Sequence, residues 1–260
     1  MSTIFGLLVN RHAWPHQRDP RTGALTATSW CGRIEVAAEP AVWHLWRVSV
    51  RRHPTDRSPL WQATFSKETP AEIVSAFVGA LADDRRTAPE EIVAEHTASP
   101  TTAWRPLLKA GWTSSDLTAV VLGDGSGAPV AVHAPAAGGT AVDGIRVTSP
   151  DEFCSLSHHP RPDEAFDQGV GPWMVEAAFG PDWDDQWTAI LSAETPVRYL
   201  TRLTRAVVDP APVLRAPDQV SAATRAVATV RTAPAPARQA DPPAFDPAAA
   251  SWRALGGRCR

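Results

Sequence analysis

The ten residues Trp61-Gln-Ala-Thr-Phe-Ser-Lys-Glu-Thr-Pro70 return later in the chain as Trp187-Thr-Ala-Ile-Leu-Ser-Ala-Glu-Thr-Pro196. Trp, Ala, Ser, Glu, Thr and Pro keep identical spacing. Beyond them, Ala80 and Asp83 answer Ala206 and Asp209. Upstream, Trp46-Arg-Val-Ser-Val50 is matched by Trp173-Met-Val-Glu-Ala177 at nearly the same distance from the second tryptophan. So many matches in order identify two copies of one structural unit.

Each copy has a local physical reading. Trp61, Ala63 and Phe65 alternate with Gln62 and Thr64, the period of a strand buried on one face. Thr69 suits a helix N-cap, Pro70 the first helical position and Glu72 the third position of a capping box. Ile73, Phe77 and Leu81 follow at spacing four and form an apolar helical stripe. The second copy repeats this with Thr195, Pro196, Tyr199, Leu203 and Val207, but Arg198 replaces the capping-box glutamate. Its helix is expected to start less firmly, a cap being worth about 1 kcal/mol.

The strands before each tryptophan are expected at 45–52 and 173–179, after which come turn-rich stretches at 53–59 and 180–185. Strands at 24–29 and 33–38 are matched upstream of the second copy by 117–122 and 129–134, joined by the hairpin signal Gly123-Asp-Gly-Ser-Gly127. The fold class is therefore α+β: two tandem antiparallel β-meanders, each closed by one helix, related by a pseudo-twofold. The first unit spans 1–86. A connector at 87–110 holds short helices at 89–96 and 101–109, and the second unit spans 111–210. Within it, 135–172 reads as an irregular insert rich in glycine, proline and acid. Residues 211–260 read as a disordered Ala/Pro-rich tail with a helical turn near 220–230.

Composition narrows the class. The chain has 260 residues, 43% hydrophobic and 20% charged, with net charge −3. That permits a sizeable core and excludes a chain that is basic throughout. Cys31, Cys154 and Cys259, far apart and odd in number, exclude a disulfide framework and a CxxC zinc site. The apolar run at 4–9 is too short for a signal-peptide core or a membrane span, so the expected location is the cytoplasm. Eleven tryptophans against one tyrosine indicate either aromatic anchors of two small cores or stacking platforms.

Once these residues are aligned, a family resemblance stands out. The pattern Trp-x-Ala-x-Phe-Ser-x-x-Thr-Pro-Ala-Glu-Ile-Val-x-Ala-Phe from Trp61 to Phe77, followed by Ala-Leu-x-Asp ending at Asp83, resembles the DUF317 (SPDY) domain of Streptomyces and related actinobacteria. Leu107-Leu-Lys-Ala-Gly-Trp112 is similar to the lead-in of a second copy. The resemblance covers residues 5–210 in two tandem copies. In that family a Ser-Pro-Asp turn precedes a strand. Here Trp30-Cys-Gly-Arg33 and Asp124-Gly-Ser-Gly127 are expected at those places, and Ser149-Pro-Asp151 falls in the insert as a coincidence. The resemblance implies the repeated fold and carries no activity.

Function must then be sought on the faces. With Trp46, Val48, Val50, Trp61, Ala63 and Phe65 under the helix, the opposite face of the first unit carries Arg33, Glu35, Arg47, Ser49, Arg51, Gln62 and Thr64. Between Arg11 and Arg57 there are eight arginines against four acidic residues. Arg33, Arg47 and Arg51, with Trp43 at a strand end, are the candidate ligand-binding residues. Arginine holds phosphates and aromatic rings stack on bases, which suits single-stranded nucleic acid. The competing reading is an ordinary solvated face. In the second unit, 151–196 carries ten acidic residues and one arginine. Its open face of Ala131, His133, Met174, Glu176, Thr188 and Ile190 is more apolar than basic, so Met174 and Ile190 are candidate contacts to another protein. Arg198, Arg202 and Arg205 line one side of the second helix. Cys154, His158, His159 and Asp151 match no zinc spacing, and no metal or cofactor is expected. GxSxG, HExxH, P-loop and GxGxxG motifs are all missing, and no catalytic residue is assigned. The expected function is a non-enzymatic binding module, with nucleic-acid binding as one reading and protein interaction or assembly as the other.

Overall fold

Short runs that alternate apolar and polar residues form the strands of this protein, and stripes at spacing four lay the helices on them. The computed structural model describes residues 2–41, 45–87, 89–93, 99–115, 122–123, 129–130, 145–158, 172–179, 185–211 and 213. In the first half, α1 (Ser2–Gly6) runs into a π-helical turn (Leu7–Arg11). Strands β1 (His16–Arg18), β2 (Leu25–Thr28), β3 (Ile34–Ala38), β4 (Trp46–Val50) and β5 (Trp61–Phe65) come next, then α2 (Ala71–Thr87). A 3-10 turn at Pro89–Ile92 leads into the second half. That half comprises α3 (Thr101–Lys109), β6 (Thr113–Ser115), β7 (Leu122–Gly123), β8 (Pro129–Val130), β9 (Ile145–Thr148), β10 (Cys154–His158), β11 (Trp173–Phe179), β12 (Asp185–Leu191) and α4 (Val197–Val207).

Ten strands make one antiparallel sheet in the order β1-β2-β3-β4-β5-β12-β11-β10-β9-β6, so the two meanders fuse at β5 and β12. At this seam Ala63 pairs with Leu191, Thr64 with Ile190 and Phe65 with Ala189. By the sequence repeat Ala63 corresponds to Ala189 and Phe65 to Leu191. The pseudo-twofold axis therefore passes between Thr64 and Ile190. Bonds on either side obey it. The Ser66 N–H donates to the Thr188 carbonyl (2.9 Å) and the Ser192 N–H to the Gln62 carbonyl (2.9 Å). The Thr188 N–H donates to Ser66 Oγ (3.1 Å) and the Gln62 N–H to Ser192 Oγ (3.0 Å).

This seam explains the recurring Ser-x-x-Thr-Pro and corrects its expected role. The Thr69 hydroxyl does not cap a helix. It donates to the Thr188 carbonyl (3.2 Å) and lies 3.2 Å from Ser66 Oγ. Thr195 likewise sits 3.4 Å from Ser192 Oγ. The helices do open at the Thr-Pro pairs. The Pro70 carbonyl accepts the Val74 N–H (3.3 Å), and Pro196 occupies the cap of α4 without a side-chain hydrogen bond. Where the ladder ends, the buried strand N–H groups still require acceptors, and the serine hydroxyls supply them. Arg198 stands 3.2 Å from Asp84, tying α4 to α2, and donates to the Tyr199 hydroxyl (3.1 Å).

The described helices share one face and one core. Trp14, Trp46, Trp61, Trp104, Trp112, Trp173 and Trp187 are all buried in a single apolar cluster, not in two. At its centre the Trp61 ring lies 5.7 Å from Tyr199 and 6.3 Å from Phe77, joining the halves. Ile73, Phe77 and Leu81 of α2 and Tyr199 and Leu203 of α4 are buried, as their spacing requires. Burial pushes the Tyr199 hydroxyl well above its ordinary pKa, although Arg198 works against it.

Three further expectations change. Of the hairpin expected at 117–134, the described part is a two-residue ladder, β7 with β8, outside the main sheet. The true counterparts of β2 and β3 are β9 and β10, inside the stretch read as an irregular insert. Ile145-Arg-Val-Thr148 and Cys154-Ser-Leu-Ser-His158 alternate as strands must, but they are short and the surrounding glycine, proline and acid hides them. The segment 101–109, read as connector, buries Ala103, Trp104 and Leu107 and stands where α1 stands in the first half.

Candidate interaction face

With the helices on one side, the other side of the sheet is uncovered by any described element. Register places its residues in rows. Arg47, Thr64, Ile190, Met174, Ser157 and Arg146 are successive cross-strand neighbours in one row centred on the pseudo-twofold. Thr64, Ile190 and Met174 are partly buried, whereas Ser157 is 7% exposed and sits below its longer neighbours. The two adjoining rows lie on opposite sides of this one: Glu35, Ser49 and Gln62 in the first half, and Thr188, Glu176 and Ser155 in the second.

Three described arginines on this face are each matched by a carboxylate. Arg47 Nη2 lies 2.9 Å from Glu39, Arg51 Nη1 3.5 Å from Glu35, and Arg146 Nη2 3.5 Å from Glu176. Arg146 also donates to Ser155 Oγ (2.9 Å). These pairs are partly exposed, so each contributes little stability. Their effect is on the field. On this face the three pairs leave an apolar centre between balanced charges.

The structure places the candidate residues unequally. Arg47 and Arg51 stand on the open face and are paired. Arg33 is partly buried at the end of β3, where its carbonyl accepts the Arg51 N–H (2.8 Å). Trp43 lies outside the described residues, as do Ala131 and His133. Met174 and Ile190 are direct partners at the centre. Sequence reading missed Arg146, because β9 had not been recognised as a strand.

The second feature is the turn between β2 and β3 and its copy between β9 and β10. Ser29 Oγ accepts the Ile34 N–H (3.1 Å), and Ser149 Oγ accepts the Cys154 N–H (2.9 Å). Cys31 Sγ lies 3.4 Å from Ser29 Oγ, and in the copy the Ser149 hydroxyl donates to Asp151 Oδ1. Gly32 (φ +69°) and Glu152 (φ +64°) take the same left-handed position. Ser149-Pro-Asp151 is therefore the repeat's own turn and not a coincidence. The Thr-Ser pairs at 28–29 and 148–149 were the available signal.

The two turns differ in chemistry. Burial opposes ionisation of Cys31, yet the Ser29 hydroxyl, the Arg33 N–H and the Arg85 guanidinium (Nε to Sγ 2.9 Å) hold its thiol below the ordinary pKa. Burial, with Asp151 and Glu176 nearby, pushes the Cys154 thiol up to about 12. The thiolate is the reactive form, so of the two thiols Cys31 is the more reactive. The His158 ring stacks 4.0 Å from Trp173 on the helix side. Among the described residues no group of three or more His, Cys, Asp or Glu side chains is arranged to hold a metal.

Residues 28–87 and 148–213 match the family model SPDY, a domain of unknown function (DUF317). The chain carries two tandem DUF317 domains. Each match starts at the threonine before the serine turn and runs through the helix after the Trp strand, so the family unit coincides with the repeat that the seam joins. No curated protein and no solved structure matches the chain. Among the described residues, no helix is long and apolar enough to cross a membrane.

Proposed function

We propose that this tandem DUF317 chain is a non-enzymatic interaction module that holds another protein on the open face of its ten-stranded sheet. The observation that carries this reading is the Thr64–Ile190–Met174 centre flanked by Arg47–Glu39, Arg51–Glu35 and Arg146–Glu176. Protein interfaces combine an apolar centre with a polar rim, and a face of balanced charge gives a polyanion little to hold. Met174→Asp places a charge at that centre, and Met174→Leu preserves it. Sedimentation and co-purification of the native chain should show an assembly or a stoichiometric partner that Met174→Asp loses and Met174→Leu keeps. A strict monomer with no partner in all three forms would remove this reading.

A second reading is favoured by one observation. Trp30 is 73% exposed at the tip of the first turn, three residues from Arg33 and on the same half as Arg47 and Arg51. Such an edge offers an aromatic platform beside arginines for a single strand of nucleic acid. The test is affinity for a labelled oligonucleotide across salt concentration. Replacing Arg47 and Arg51 with alanine should flatten the logarithmic salt slope by about 1.4, at about 0.7 for each phosphate contact. No binding at low salt ends this reading.

A further inference from the structure

On the helix side of the sheet, a groove of about 600 Å³ opens against Trp187, with Trp112 and Phe153 also in its wall. Register and the sequence repeat explain the space. The places held around Trp61 by Ile34, Val50, Tyr199 and Arg85 are taken around Trp187 by Cys154, Ala177, Ile73 and Ala211. Each replacement is a smaller side chain, and all four of these residues line the groove.

Charge changes sign between the two places. In the first repeat the Arg85 guanidinium reaches the serine turn, with Nε 2.9 Å from Cys31 Sγ, and Arg198 stands 3.2 Å from Asp84. In the second, Ala211 holds the position of Arg85, Asp151 that of Cys31 and Glu72 that of Arg198. The described residues lining the groove include the carboxylates Glu72, Asp151 and Asp209 and no lysine, arginine or histidine. Two of these acids are fixed by the backbone. Asp151 Oδ1 accepts the Ser149 hydroxyl and the Phe153 N–H (3.2 Å), and Asp209 Oδ1 accepts the Ala211 N–H (2.9 Å). The volume falls within the roughly 300–1,000 Å³ of small-ligand sites. Carboxylates and the faces of aromatic rings both attract a cation.

We infer that the groove binds a small organic cation, a guanidinium carried on an apolar body. The body lies against Trp187, and the guanidinium meets Asp151 as Arg85 meets Cys31 in the first repeat. The ligand supplies from outside the apolar volume and the positive charge that the first repeat supplies from its own side chains. This site is independent of the open face, which lies on the other side of the sheet.

Calorimetric titration of the full-length chain tests this with benzylguanidinium and with benzylurea, its neutral counterpart of the same shape. Benzylguanidinium is expected to bind at one site, at least tenfold more tightly than benzylurea. Ala211→Arg, which returns the first repeat's guanidinium to the groove, is expected to abolish that binding. Asp151→Asn and Asp209→Asn are each expected to weaken the cation at least threefold and to leave benzylurea unchanged. Asp209→Asn and Ala211→Arg report independently if Asp151→Asn disturbs the turn. Three results overturn the inference: no saturable binding to the native chain, equal affinity for the two compounds, or an affinity that neither Ala211→Arg nor Asp209→Asn alters. Sedimentation of the same samples covers one more occupant. A dimer that Ala211→Arg dissociates assigns the groove to a second copy and overturns it.

Discussion

The seam serines give the sharpest test of the fused sheet. Ser66 is fully buried, and its hydroxyl is the acceptor for the Thr188 N–H at 3.1 Å while also meeting Thr69 Oγ1 at 3.2 Å. Ser66→Ala removes that acceptor and leaves a buried strand N–H unpaired. A buried donor without a partner costs about 1–3 kcal/mol, so the expected loss is about 2 kcal/mol. Ser192→Ala removes the symmetric acceptor of the Gln62 N–H (3.0 Å), but Ser192 and Gln62 are only partly buried and water can substitute. Its expected loss is about 1 kcal/mol. The two bonds lie four residues apart along β5, about 13 Å, so the double variant should lose about 3 kcal/mol by simple addition. Equilibrium urea unfolding followed by tryptophan fluorescence reads this directly. With a slope of about 2–3 kcal/mol per molar, Ser66→Ala should lower the midpoint by about 0.7–1 M. A Ser66→Ala change within 0.5 kcal/mol of the native chain, or no excess of Ser66→Ala over Ser192→Ala, would refute the seam argument.

The remaining outcomes concern turns and titrating groups. Gly32→Ala puts a Cβ at φ +69° and 2.9 Å from Pro54 Cβ, so it should destabilise by about 2 kcal/mol in urea unfolding. Glu152→Gly, at φ +64° in the equivalent place, should stabilise by about 1 kcal/mol. In a Cys259→Ser background, iodoacetamide at neutral pH should alkylate Cys31 well before Cys154, as peptide mass mapping would show; equal rates contradict the assigned environments. Burial lowers the pKa of His12 below 6.5 in the folded chain, with Asp83 opposing and Arg11 and Arg86 reinforcing the shift. The unfolded chain therefore binds the proton more readily. The stability that neutral His12 preserves is present above pH 6.5 and is lost as pH falls through the folded value. Unfolding midpoints from pH 7.5 to 5 should show this fall, and His12→Gln should make it shallower.

Much of the fold was legible because the repeat carries its own control. Trp61, Ala63 and Phe65 fix a strand period, Ile73, Phe77 and Leu81 a helical one, and the same pair of signals returns at Trp187. What could not be read is how the halves meet. Thr69 and Thr195 look like helix caps in any local window. The use of Thr69 as a seam donor, and of Ser66 and Ser192 as seam acceptors, depends on a strand more than a hundred residues away in sequence. The strands β9 and β10 were hidden for a different reason. Each has at most five residues, and the loop-forming residues around them outweigh a short alternation. The balance of charge on the open face was likewise invisible, because Arg47 finds Glu39 and Arg146 finds Glu176 only across a ladder. A count along the chain sees Arg47 and Arg51 as part of a cluster, whereas the sheet sees them as neutral pairs.

The exchange of bonds between β5 and β12 means that neither repeat has a natural border of its own. A lone copy would end in the bare hydrogen-bonding rim of β5, Trp61 to Phe65, flanked by β-prone side chains and ready to recruit any passing strand. Tandem covalent linkage removes that hazard by supplying a permanently tethered, complementary rim. The two outermost strands, His16–Arg18 and Thr113–Ser115, are short and polar, which makes them poor templates for further growth. Duplication here works as a built-in dimerisation that cannot dilute away, and a gene encoding half of this chain would encode an adhesive fragment in place of a smaller soluble domain.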